Sequence, residues 1–142
     1  LSFKTRMPDM SVIETTALPL VDDRPVRPAL RRGWARRCPN CGTGAMMRGY
    51  LKVADECPDC GEALHHHRAD DGPAYLTILV VGKTIMAMYL VVFMTWQPSP
   101  LVTIALGWSV ALTMALYLLP RFKGALVALQ WSRRMHGFGG PA

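Results

Sequence analysis

Apolar and polar positions are segregated along this chain. Residues 75–119 contain one charged side chain, Lys83, whereas the first thirty residues and the stretch around four cysteines are polar. No soluble core of this size needs so long an uncharged run, which reads as membrane-spanning. The run is broken once, at Gln97-Pro98-Ser99-Pro100, into residues 74–96 and 101–119. At 1.5 Å per residue these helices would be about 34 and about 28 Å long, each enough to cross a hydrocarbon layer of about 30 Å with modest tilt. A link that short and twice interrupted by proline forces the two helices antiparallel, as a transmembrane hairpin. The preceding Asp70-Asp71-Gly72-Pro73 reads as a helix start, with an Asp cap and a proline in the first turn, where its missing N–H costs nothing.

The flanks are different in kind. Residues 1–30 hold Pro8, Pro19, Pro25 and Pro28 among mixed charges with no sustained period, which predicts a disordered arm. They contain no apolar run of the roughly 7–15 residues that a leader peptide needs, so no cleaved leader is expected. After Pro120, Phe122, Leu126 and Leu129 fall at helical spacing between basic ends, a pattern expected of an amphipathic helix lying at the membrane surface. The predicted fold class is therefore a membrane α-helical hairpin with an N-terminal cytoplasmic zinc ribbon and a C-terminal amphipathic helix. Its parts are the arm (1–30), the ribbon (31–68), the hairpin (69–120) and the surface helix with its tail (121–142).

Charge orients this plan. Arg68 precedes the first span and Arg121, Lys123, Arg133 and Arg134 follow the second, against no basic residue in the tight link. Basic residues stay on the cytoplasmic side, so both termini and the cysteine unit are expected there, with the link outside. Trp96 and Trp131 would suit the two opposite interfaces. The formal net charge is +6, which by itself would admit nucleic acid as a partner. Four thiolates around one divalent ion bring the loaded chain nearer to about +4. A membrane anchor also removes the mobility a nucleic-acid reader uses, so membrane lipids or a protein partner are favoured over nucleic acid.

The polar segment carries the chemistry. Cys38-Pro39-Asn40-Cys41-Gly42 and Cys57-Pro58-Asp59-Cys60-Gly61 form a C-x2-C-x15-C-x2-C set, two knuckles that can each bring a pair of sulfurs to one ion. Sulfur-only tetrahedral coordination makes zinc the default ion and iron the alternative, since geometry does not separate them. With all four positions filled by thiolate there is no open site for Lewis-acid chemistry, so the role is structural. A unit of this size buries little apolar surface, and metal binding would supply most of its folding free energy.

Three further features stand beside that set. His65, His66 and His67 follow the second knuckle and would make a weak second metal site if Asp70 and Asp71 approached; otherwise they are a solvated linker. Lys83 falls near mid-membrane, where an ammonium costs about 2.5–3.5 kcal/mol, so it must stretch to headgroups or find a partner in Asp70, Asp71 or another chain. Asp70, Asp71, Lys83, Trp131, Arg133 and Arg134 are the expected contacts to a partner or to lipid. Gly82 and Gly107, with Ala87, Ala105 and Ala111, would allow close helix approach. No nucleophile elbow, phosphate loop or HExxH motif is present, and an enzyme is not expected.

The arginine-rich lead-in, the two knuckles, the phrase Arg68-Ala69-Asp70-Asp71-Gly72-Pro73-Ala74-Tyr75 and the tail from Phe122-Lys123-Gly124-Ala125-Leu126 to Gln130-Trp131 together resemble a bacterial family of small membrane proteins carrying the domain of unknown function 983. One departure is Gly82-Lys83, where relatives tend to have Gly-His. Members are often encoded beside haem-copper cytochrome oxidase subunits and their assembly factors. The resemblance thus implies a non-catalytic accessory subunit or assembly factor of a respiratory oxidase, a larger membrane complex. Two other classes remain open: a metal-handling or redox protein using the cysteines or the histidines, and a membrane-anchored adaptor for a cytosolic partner.

Overall fold

A computed structural model describes residues 23–138. Three helices form in order: α1 (Val26–Trp34), α2 (Gly72–Thr95) and α3 (Pro100–Ser132), followed by a 3-10 turn at Met135–Gly137. Among the described residues there is no sheet; the cysteine segment holds only three isolated antiparallel bridges, Arg37 to Ala45, Met47 to Val53 and Glu56 to Ala63. The expected ribbon is thus a pair of knuckles without a strand ladder.

Both α2 and α3 are long and apolar enough to cross a membrane. They pack as a hairpin yet cover little of each other: of the most apolar 18 residues in each, 6% and 0% are buried. Asp71 sits at the N-cap of α2, but its side chain makes no capping hydrogen bond, and Pro73 occupies the first turn. At about 1.5 Å per residue α3 is about 50 Å long, against the about 30 Å that crossing a hydrocarbon layer takes, so its last third projects beyond the length of a span.

That projecting third corrects the expectation for the tail. The chain does not break at Pro120 into a separate surface helix; α3 runs through to Ser132 and buries Pro120, Gly124, Val127, Ala128, Trp131 and Ser132. A proline inside a helix leaves the carbonyl four residues earlier without its donor. Here that carbonyl, Leu116, accepts a hydrogen bond from the Tyr50 hydroxyl at 2.6 Å, so the helix continues where it would otherwise bend or stop. Phe122 meets Trp34 edge-on at 5.3 Å between ring centroids, and Leu126 packs against the core, so this apolar face covers protein rather than lipid.

The arm is corrected too. Its first 22 residues lie outside the described part, but α1 occupies 26–34 and buries Ala29 and Gly33 on α3. Pro28 is the third residue of α1, where no intrahelical donor is required. A Cβ on Gly33 would lie 2.5 Å from the Gly124 carbonyl oxygen, and one on Gly124 would overlap the Gly33 carbonyl. Two glycines therefore set the distance between these helices. Val26, Ala29, Leu30, Gly33 and Trp34 stand at i, i+3, i+4, i+7 and i+8, a helical period that runs across the boundary between arm and ribbon and is interrupted by Pro28, which is why α1 is not among the expected elements. The resulting core joins Ala29, Cys38, Met46, Val53, Cys57, Leu64 and Ala69 to Val127, Ala128, Trp131 and Phe138.

Candidate metal centre

Each knuckle is closed by its own backbone. The Gly42 N–H donates to the Cys38 carbonyl at 2.9 Å, and the Gly61 N–H donates to the Cys57 carbonyl at 3.0 Å. Both glycines are in the left-handed region, with φ of +80° and +70°, a conformation that a side chain would penalise. Return bonds finish the loops, from Cys38 N–H to the Gly44 carbonyl and from Cys57 N–H to the Glu62 carbonyl, each 2.9 Å.

The two knuckles face each other. All four sulfurs lie within 4.8 Å of one another, and Cys38 to Cys60 and Cys41 to Cys57 are each 3.7 Å apart. A regular tetrahedron with metal–sulfur bonds of about 2.3 Å has an edge of about 3.8 Å, so the sulfurs already stand at ligand spacing. A disulfide would need about 2.05 Å, and all four cysteines are free thiols. The chemistry available is thus a closed sulfur-only site for one ion.

Polar contacts tune the thiols. The Thr43 hydroxyl at 3.4 Å and the Gly44 N–H at 3.5 Å point at Cys41 Sγ and bring that thiol down to about 6, so it is ionised at neutral pH. Burial pushes the Cys38 thiol up, and desolvation also raises Cys60 although that residue reaches solvent. A Cβ on Gly44 would collide with Cys57 Sγ, so that position admits no side chain. Arg32 from α1 donates to the Pro39 and Asn40 carbonyls at 2.9 and 2.7 Å, strapping a cation over the first knuckle.

A second set of side chains fastens the centre to the hairpin. Glu62, one residue past the second knuckle, accepts from Trp131 Nε1 at 2.8 Å and from Asn40 Nδ2 at 3.1 Å, with Arg24 at 3.7 Å. The Arg24 guanidinium lies 4.6 Å from the Trp131 ring centroid and donates to the Trp131 carbonyl at 3.2 Å. Gln130 makes a reciprocal amide pair with the backbone of Arg68, at 2.9 and 3.0 Å, tying α3 to the segment entering α2. The bonds made by Glu62, Gln130 and Tyr50 carry no local signal in the sequence, because each reaches a partner more than sixty residues away.

The remaining candidates fare differently. Cys38, Cys41, Cys57 and Cys60 come together as expected, the one set of three or more metal-binding side chains that converges among the described residues. The three histidines are not gathered into such a set: His65 and His66 rings lie 4.0 Å apart, and His67 Nδ1 is 2.9 Å from the Leu64 carbonyl. Trp131 is buried and hydrogen-bonded, which corrects its expected place at a lipid interface, whereas Trp96 is exposed. Arg134 pairs with Asp23 through both carboxylate oxygens, at 2.7 and 2.6 Å, and Arg133 is exposed. Asp70, Asp71 and Lys83 are exposed, and no carboxylate among the described residues pairs with Lys83. Gly82 and Gly107 mediate no close approach within the chain, since a Cβ on either meets nothing within 4 Å.

The family described as "Protein of unknown function (DUF983)" matches residues 47–131. The chain belongs to the DUF983 family. No curated protein and no solved structure matches it. In this DUF983 protein the matched segment starts after the first knuckle and ends at Trp131, so it contains the second knuckle, the Glu62–Trp131 bond and both long apolar helices.

Proposed function

We propose that this DUF983 protein is a non-catalytic component of the bacterial inner membrane that holds zinc in its cysteine head and serves a respiratory, haem-copper oxidase type complex as an accessory subunit or assembly factor. The observation that carries the reading is the closed sulfur tetrad fused to the base of a hairpin that the chain itself leaves almost uncovered. Four protein thiolates complete a tetrahedron, so a zinc ion held by Cys38, Cys41, Cys57 and Cys60 has no position for water and acts as a staple. Metal binding in such a small unit is folding free energy. The basic residues gather at the head end of the hairpin and none lies in the link, which supports a cytoplasmic head and cytoplasmic termini. The respiratory assignment draws on the family resemblance, and the uncovered spans supply surface for a larger membrane partner or for lipid.

The test is a gentle detergent purification of the tagged chain, resolved on a native gel with haem staining, mass spectrometry and anaerobic metal analysis. One zinc per chain and co-migration with a haem-bearing oxidase, lost in Cys57→Ser, are expected. A coloured iron–thiolate spectrum would replace the staple with a redox centre, and absence of any haem-bearing partner would overturn the respiratory role.

A further inference from the structure

Lys83 is the twelfth of 24 residues in α2, about 17 Å along the axis from Gly72. Its four-carbon stem covers less than half of that distance, so snorkelling does not return the ammonium to the head-side surface. Asp71 is about 18 Å away along the same axis, and residues 72–142 contain no Asp or Glu at all. Among the described residues the chain therefore offers no carboxylate at this depth, and the same residues of a second copy offer none in their spans.

Nor does α3 cover the lysine. The groove between the two helices is lined by Ile85 and Tyr89 of α2 with Thr103, Ile104, Gly107 and Trp108 of α3. Lys83 precedes Ile85 by two residues, about 200° around the helix. On its own side Lys83, Thr84, Ala87, Met88, Val91 and Val92 line a separate open groove of about 540 Å³. The Thr84 hydroxyl already donates to the Val80 carbonyl at 2.8 Å. The groove is apolar along its length and has one cation at its end.

We propose that the Lys83 face of α2 is the docking face for a membrane-spanning helix of another protein that brings an Asp or Glu to mid-membrane depth. A cation in hydrocarbon is stabilised by an opposite charge in contact, and the groove beside it accommodates the helix that carries that charge. The proposal rests on the proposed function only in taking the partner to be another membrane protein.

A photoreactive benzophenone side chain placed at Val91, within the groove, and at Phe93, on the far side of α2, tests it in whole cells. The expected result is an adduct from Val91, absent from Phe93, mapped to one spanning segment that contains Asp or Glu. Lys83→Leu lowers its yield at least tenfold, Lys83→Arg retains it, and Lys83→Glu abolishes it until the partner's carboxylate is changed to Lys. Metal content equal to the wild type shows that each variant is folded. Adducts confined to lipid or to a second copy, a segment without a carboxylate, or a yield indifferent to Lys83→Leu would overturn the proposal. Co-migration with a haem-bearing oxidase that survives Lys83→Leu would sink the docking face and leave the respiratory role standing. A carboxylate-bearing span from a protein without haem would do the reverse.

Discussion

The head and the hairpin are built on opposite principles. In the hairpin, hydropathy is high and contacts within the chain are few: Tyr75, Ile78, Met86 and Leu101 are all exposed. In the head, apolar residues are scarce, yet Cys38, Met46, Leu64 and Val127 are completely enclosed. The hairpin has the length and apolarity that a bilayer requires, with backbone N–H and C=O groups satisfied within each helix. The head is shaped by cross-links, namely four sulfurs, the Glu62–Trp131 bond and the Gly33–Gly124 contact. Stability in one follows from composition and in the other from geometry.

The largest expected effect lies at the proposed metal site. Cys57→Ser, or a strong chelator, should remove a contribution on the order of 10 kcal/mol from the head. Amide exchange at Met46 and Leu64 should then rise by at least a thousandfold while helicity of α2 persists. If α2 melts along with the head, the two regions are a single cooperative unit.

Acidity is the milder version of the same perturbation. In the metal-free chain Cys41 is already ionised above about pH 6 and gives up no proton on binding, whereas Cys38 and Cys60, both raised, must each release one. Binding is favoured as protons become scarce, so affinity should climb by at least about two decades per pH unit between pH 6.5 and 8. Competition with a chromophoric chelator across that range measures the slope. A flat profile would show that Cys38 and Cys60 are not protonated before binding.

Glycine substitutions sharpen the contrast at single positions. Gly124→Ala drives a Cβ into the Gly33 carbonyl and should cost about 2–3 kcal/mol in thermal denaturation of the full chain in detergent. Gly107→Ala meets nothing within 4 Å and should stay within about 0.5 kcal/mol of the wild type. Equal effects would mean that the spans are packed as tightly as the head.

The smallest effect lies at the junction. Tyr50→Phe leaves the Leu116 carbonyl without its donor and should cost about 1 kcal/mol. Pro120→Ala supplies an N–H to that same carbonyl, so in its background Tyr50→Phe should cost nearly nothing. Additive losses in the double-mutant cycle would show that Tyr50 acts through other contacts.

The hairpin and the ligand set are legible along the chain. A long uncharged run, a proline-interrupted link and two knuckle spacings are local patterns, and each has one inexpensive physical solution. Pro120 shows the limit of local reading. As a residue it signals a helix end, and the chain beyond it reads as an independent surface helix. Tyr50, 66 residues distant from its acceptor, supplies the missing bond and converts the stop into a continuous helix. Trp131 is a similar case: an aromatic near basic residues resembles an interfacial anchor until Glu62 and Arg24 are placed around it. The close approach of Gly33 and Gly124 leaves no mark along the chain, since it exists only when two backbones meet. Only the tertiary structure decided that α1, the knuckles and the end of α3 form one body. The reason is physical: hydropathy period and ligand spacing are written along the chain, whereas a hydrogen-bond partner or a close approach is fixed by which distant segments share the same space.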